Sequence, residues 1–202
     1  MTIAFALAEL RSWAGRSGRA SDPIHRAEWA RILLPNDNYE WAQRYLEAKG
    51  SAHPTSTCAL VAKAFLRSGG CTCVEHGAYQ PRMGSAVADI ERIARRHGAW
   101  LTSSASLSTY PSPGDIMCVD LGNEHVLTVV DSRAEDGSVM SVDGGQRDST
   151  FTLARARRMT ATATGATLTD LADGVSSRPG YVRTVYARAS GQIILGNLDR
   201  CE

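Results

Sequence analysis

Apolar positions recur along this chain with two different periods, and the change of period divides it. From residue 2 to about residue 50 the spacing is helical. Leu7, Leu10, Trp13 and Ala14 share one side of a predicted helix, until Gly15 and Gly18 interrupt the pattern. Ser21-Asp22-Pro23 predicts a second helix, with Asp22 as cap and Pro23 at the first helical position, where a missing amide proton is harmless. That helix carries Ile24, Ala27, Trp29, Ile32 and Leu33 and stops before Pro35. Asn36-Asp37-Asn38 opens a third stretch with Trp41, Tyr45 and Leu46, ending at Gly50.

A fourth helix is predicted from the segment Pro54 to Gly70. Ser56 or Thr57 supplies a hydroxyl cap, and Cys58, Val61, Ala62, Phe65 and Leu66 line one side. Gly69-Gly70 ends it. Ser85 to Arg96 is a further helix, with Val87, Ile90, Ala94 and His97 on one side; His97 suits the negative end of the helix dipole. Ser103 to Ser112 is a polar connector.

Beyond it the texture is extended. Pro113-Gly114-Asp115 turns the chain into a short apolar strand, Ile116 to Val119, and Gly122-Asn123 signals a hairpin. His125 to Val130 is apolar on both faces and reads as a central strand; Glu135 to Ser138 turns the chain into Val139 to Asp143. Thr150 to Leu153 is a further strand, residues 160 to 179 read as a long loop around a short helix, and Tyr181 to Tyr186 with Gln192 to Leu195 close the chain as a hairpin. Helices followed by an antiparallel meander make an α+β layout.

The 202 residues are enough for one domain with a buried core: a helical extension over residues 1–50 on a core of residues 51–202. A net charge of +1 provides no global attraction to nucleic acid or to an anionic membrane surface, and no apolar run approaches bilayer length, so neither partner is expected. Arg155-Ala156-Arg157-Arg158 reads as a solvated strand end or loop. The first residues have no basic region before their apolar positions, and Glu9 and Arg11 break them, so they predict an amphipathic helix rather than a signal peptide. Synthesis as a cytosolic product is the expectation, with any export by another route. Five cysteines (58, 71, 73, 118 and 201) are an odd number without framework spacing, which argues against a disulfide scaffold. Cys71, Cys73, Glu75 and His76 form a loop whose donors suit a soft metal, but a zinc site needs a second paired segment and none is evident. No metal and no cofactor are expected.

The remaining chemistry centres on Cys58. A thiol at a helix N-terminus feels the positive end of the dipole, which favours the thiolate; the same position on an apolar stripe equally suits a cysteine that only fills the core. A nucleophilic cysteine needs a base within reach and a third group to orient that base. Among the five histidines, His125 stands where such a base belongs, at the start of a central strand just after a turn. Asp143 ends the next strand and is the first choice for the orienting group. Gln146 is the second, because one hairpin register brings Asp143 to the imidazole and another brings Gln146.

Cys58-Ala-Leu-Val, Ser112-Pro-Gly-Asp-Ile, Glu124-His-Val-Leu-Thr-Val-Val and Ser141-Val-Asp-Gly-Gly-Gln occur in that order. Together they resemble the papain-like cell-wall amidases, the NlpC-type peptidases and CHAP domains, over roughly residues 54–146. The resemblance implies a papain-like α+β fold with the nucleophile helix packed on an antiparallel meander. It implies a cysteine amidase or endopeptidase that hydrolyses amide bonds in peptidoglycan stem peptides. In that reading Cys58 is the nucleophile, His125 the general base, and Asp143 or Gln146 the third residue. Where NlpC-type enzymes have Asp-Cys-Ser-Gly, this chain has Thr57-Cys58-Ala59-Leu60. Tyr45 and the Gly144-Gly145 pair are the candidates for substrate contact. A lysin released by phage lysis, or an antibacterial effector (a toxin) sent to the periplasm or a target cell by a secretion machine, is the implied setting. An immunity protein or secretion adaptor is the implied partner. Two other readings stay open: a papain-like binding module with Cys58 in its core, and a cysteine hydrolase acting on a protein or small acyl substrate.

Overall fold

A computed structural model describes residues 3–13, 58, 61, 62, 65, 90, 91, 94, 95, 99–101, 110–121, 124–144, 152–178 and 182–185. The second and third predicted helices, the caps and glycine stop of the Cys58 helix, Gly122-Asn123, the Cys71–His76 loop, His97 and the strand at 192–195 lie outside the described residues. Helix α1 spans Ile3–Trp13 and buries Ala6, Leu7 and Leu10. Cys58, Val61, Ala62 and Phe65 are helical and buried, as are Ile90 and Ala94 in the helical stretch before residue 99. The Ala99 amide returns to the Ala94 carbonyl at 2.8 Å, the six-to-one bond that ends a helix.

Six antiparallel strands follow: β1 Ile116–Asp120, β2 Glu124–Arg133, β3 Ser138–Gly144, β4 Thr152–Thr162, β5 Gly165–Asp170 and β6 Val182–Val185. Their order in the sheet is β5-β4-β3-β2-β1-β6, so β1 to β5 form a meander and β6 returns to the free edge of β1. Alternation sends Met117, Val119, Leu127, Val129, Val139, Met159, Ala166, Leu168 and Val182 to one face, where they form a single buried cluster. All six strands contribute to it, which requires the sheet to curl, and β5 and β6 approach one another. The Arg178 amide, donating to the Asp120 carbonyl at 2.9 Å, ties the segment after β5 to the end of β1. On the other face Ile116, Cys118, Val126 and Val142 are buried too. Helix α1 lies against β2, with Arg11 Nη2 donating to the Val130 carbonyl at 2.6 Å.

Two turns set the register that matters for the site. At Ser112-Pro113-Gly114-Asp115 the Asp115 amide donates to the Ser112 carbonyl at 2.9 Å, and Gly114 has φ 94, a value open to glycine. Gly114 and Asp115 then exchange backbone hydrogen bonds with Val129, both at 2.8 Å, which starts β1 opposite Thr128 and puts Val119 opposite His125. At the β2–β3 turn Gly137 has φ +73, and a Cβ there would sit 2.6 Å from the Met159 carbonyl oxygen. Gly137→Ala is therefore expected to destabilise the fold by about 2 kcal/mol or more, through a left-handed backbone and a clash with backbone that cannot swing away. The shift in the urea midpoint measures it; an unchanged midpoint would mean that the turn tolerates a side chain.

Three expectations need correction. Residues 160–179 are not a loop around a helix: residues 163 and 164 form a tight turn, and β5 pairs with β4 from Thr162 opposite Gly165 to Arg157 opposite Asp170. Alternating threonine suits a half-exposed strand, and a composition rich in Thr, Ala and Gly had hidden that pattern. The fourth strand extends far past Leu153, to Thr162. The basic run accordingly is no solvated end: it lies inside β4, where alternation turns Arg158 out and Arg157 inward.

Candidate active site

His125 is the second residue of β2 and lies opposite Val119. Its face is the inner face of the sheet, shared with Leu127 and Val129. Whether Asp143 meets it depends on one residue. From the turn outward Arg133 faces Ser138 and Asp131 faces Met140, but beyond an irregularity Val129 faces Ser141 and Leu127 faces Asp143. Val130 is the extra residue of a β-bulge. Without it the ladder would run on with Thr128 opposite Asp143, the aspartate would point to the other face, and position 146 would fall opposite His125. With the bulge, Asp143 is a diagonal neighbour of His125 on the same face, within reach of a long side chain. His125 Nε2 and Asp143 Oδ2 are 3.1 Å apart.

The Cys58 side chain hydrogen-bonds the same imidazole. The structure thus brings Cys58, His125 and Asp143 into one contiguous arrangement. Cys58 is 2 % exposed, the His125 side chain 13 % and Asp143 0 %. Tyr45, Gly145 and Gln146 lie outside the described residues. Gly144 closes β3, buried and paired with Thr152.

Two residues that the sequence reading did not single out complete the surroundings of the carboxylate. Ser141 Oγ donates to Asp143 Oδ1 at 2.5 Å, and Arg157 Nη2 meets Asp143 Oδ2 at 2.5 Å while its Nη1 donates to Ser141 Oγ. Behind Arg157 the network continues to Asp170 at 3.6 Å, which Arg155 approaches at 3.4 Å. The available signal was strand alternation: once 152–162 is read as a strand, Arg155, Arg157 and Met159 fall on one face, and Met159 belongs inside.

The electrostatics follow from this packing. Burial alone would push His125 down, but hydrogen bonds to Asp143 and Cys58, with the charges of both, outweigh it and raise the imidazole from 6.5 to about 9. Burial would push Asp143 up, but the Arg157 charge and the bond to His125 hold it well below the usual carboxylate range. Both groups contribute to stability. The His125 value is raised on folding, so its contribution is complete below pH 6.5 and is lost as pH rises through about 9. The Asp143 value is depressed, so its contribution is complete above pH 3.8 and is lost as pH falls. Urea unfolding is expected to show greatest stability between these limits, declining by roughly 2–3 kcal/mol from pH 6.5 to 9. In His125→Ala that alkaline decline should vanish; a decline of equal size in the variant would sink the assignment.

Among the described residues no group of His, Cys, Asp and Glu is arranged to hold a metal ion, and no helix is long and apolar enough to cross a membrane. Chemically, a thiol on an imidazole whose Nε2 is held by a buried carboxylate is a unit that can form a thiolate and move a proton. Compared with known proteins, the chain matches no family model, no curated protein and no solved structure.

Proposed function

We propose that this protein is a cysteine amidohydrolase of papain-like α+β architecture that cleaves amide bonds in the peptide stems of peptidoglycan. One observation carries the reaction class: the Cys58 thiol and the Asp143 carboxylate both interact with the His125 imidazole, the carboxylate at Nε2. The thiolate attacks the amide carbonyl carbon, and the oxyanion is met by the backbone amide of Cys58. The imidazolium gives a proton to the leaving amine as the carbon–nitrogen bond breaks, leaving a thioester. The imidazole then takes a proton from water, whose oxygen attacks the thioester and releases the acid and the thiol. Asp143 keeps the ring oriented and stabilises it while charged, without taking the proton.

The substrate class rests on the resemblance of the four sequence motifs to NlpC-type and CHAP enzymes. Delivery by a secretion machine or release by phage lysis, an immunity protein or adaptor as partner, and substrate contacts from Tyr45, Gly144 and Gly145 belong to the same reading. The competing reading is a binding module. The near-complete burial of Cys58, common for a core cysteine, is the observation in its favour. Incubation of wild type and Cys58→Ala with purified sacculi, with released fragments read by mass, decides between them. Release by wild type alone supports the hydrolase. Equal release by both removes Cys58 from the chemistry, and no release by either, with a thiol inert to alkylation, favours the binding module.

A further inference from the structure

We propose that Arg157 is a positioning residue of this site, a fourth member whose buried guanidinium balances the Asp143 carboxylate so that the thiolate–imidazolium pair can form. The inference rests on the reading of Cys58 as a nucleophile and adds what sets its ionisation. The geometry is a fork. Arg157 presents one guanidinium nitrogen to Asp143 Oδ2 and the other to Ser141, which itself donates to Asp143 Oδ1. Arg157 is 2 % exposed, so solvent does not share the load. The planar fork holds Oδ2 directly and Oδ1 through Ser141, and Oδ2 keeps its remaining capacity for His125 Nε2.

Charge counting gives the consequence. The groups that face one another are Cys58 on its helix, His125 on β2, Asp143 and Ser141 on β3, Arg155 and Arg157 on β4, Asp170 at the end of β5 and Asp173 in the turn after it. Arg155 lies against Asp170 and Asp173, which among the described residues leaves Arg157 as the close cation for Asp143 besides the imidazolium. With Arg157 in place, ionised Cys58, His125, Asp143 and Arg157 sum to zero. Without it the imidazolium must serve two buried anions, and loss of the thiol proton creates an unbalanced negative charge. Arg157 therefore assists the nucleophile without touching it, through the carboxylate and the ring.

The experiment is the pH dependence of iodoacetamide alkylation at Cys58, followed by mass of the Cys58 peptide because the chain has five cysteines. In wild type the alkylation midpoint is expected well below the ordinary thiol value of about 8.5. In Arg157→Met it should rise by about one pH unit or more. Arg157→Lys, which keeps the charge, should restore it most of the way, a rescue that a purely packing role would not produce. Arg158→Met removes the same charge from the exposed side of β4 and should leave the wild-type midpoint unchanged. If Arg157→Met does not fold, Arg157→Gln removes the charge, keeps a donor to Asp143 and should show the same rise. A folded Met or Gln variant with the wild-type midpoint overturns the role of Arg157. An ordinary midpoint in wild type overturns the nucleophile reading itself, so the two failures are distinguishable.

Discussion

Under the proposed hydrolase function, Cys58→Ala is expected to lower the rate of fragment release from sacculi by about 10⁶-fold, the scale on which removing a nucleophile acts when base and nucleophile work as one unit. The reason is the shared imidazole. His125 has Nε2 on Asp143 and also interacts with the thiol, so in the proposed mechanism it has no nucleophile to activate once the sulfur is gone. His125→Ala should cost about as much, and the double variant little more than either single one, because each removes the same step. Additive losses in the double variant would mean that the two residues act independently. The fold should survive Cys58→Ala, since a small apolar side chain replaces another in a buried position. Activity and stability therefore separate cleanly in this variant.

Asp143→Ala has the largest expected effect on stability, about 3–5 kcal/mol, because it leaves a buried arginine without its closest carboxylate. Arg157 then retains Asp170 at 3.6 Å, an acid already approached by Arg155, and Ser141 loses the oxygen to which it donates. Asp143→Asn keeps an acceptor at that place and should cost less. The double variant Asp143→Ala with Arg157→Met is the decisive companion. Removing both partners of a buried pair is often close to neutral, so it should recover most of the stability that Asp143→Ala loses. Urea unfolding at pH 6 measures all three. A loss below about 1 kcal/mol in Asp143→Ala would show that the pair is solvated and of surface strength.

The strands that carry the site were legible where their pattern is local. Ile116, His125 and Val139 each begin or lie in a strand that a short apolar, β-branched run between turn signals marks, and Pro113-Gly114-Asp115 is the turn it reads as. The same rule missed β5, where threonines and alanines provide little contrast between the two faces. It misread Arg157 because four residues with three arginines look like a solvated run. A strand puts neighbouring residues on opposite faces, so Arg157 and Arg158 have different fates despite their identical chemistry.

What the sequence determined by itself, among the described residues, is helix at 3–13 and around Cys58 and Ile90, strands from Ile116 onward, a cysteine on the buried side of a helix, and a histidine at the head of a central strand. Those features depend on residues close together along the chain, and period and turn chemistry record them. The carboxylate that meets His125 was decided only in three dimensions. Asp143 and Gln146 are separated by an odd number of positions, so a one-residue change of register exchanges them, and the bulge at Val130 makes that change in favour of Asp143. A bulge depends on how two strands dock, here with β2 also bonded to Gly114, Asp115 and Arg11 around it. Likewise the inward arginine has meaning only because the curled sheet lays β4 beside β3 and gives its charge a buried carboxylate to meet.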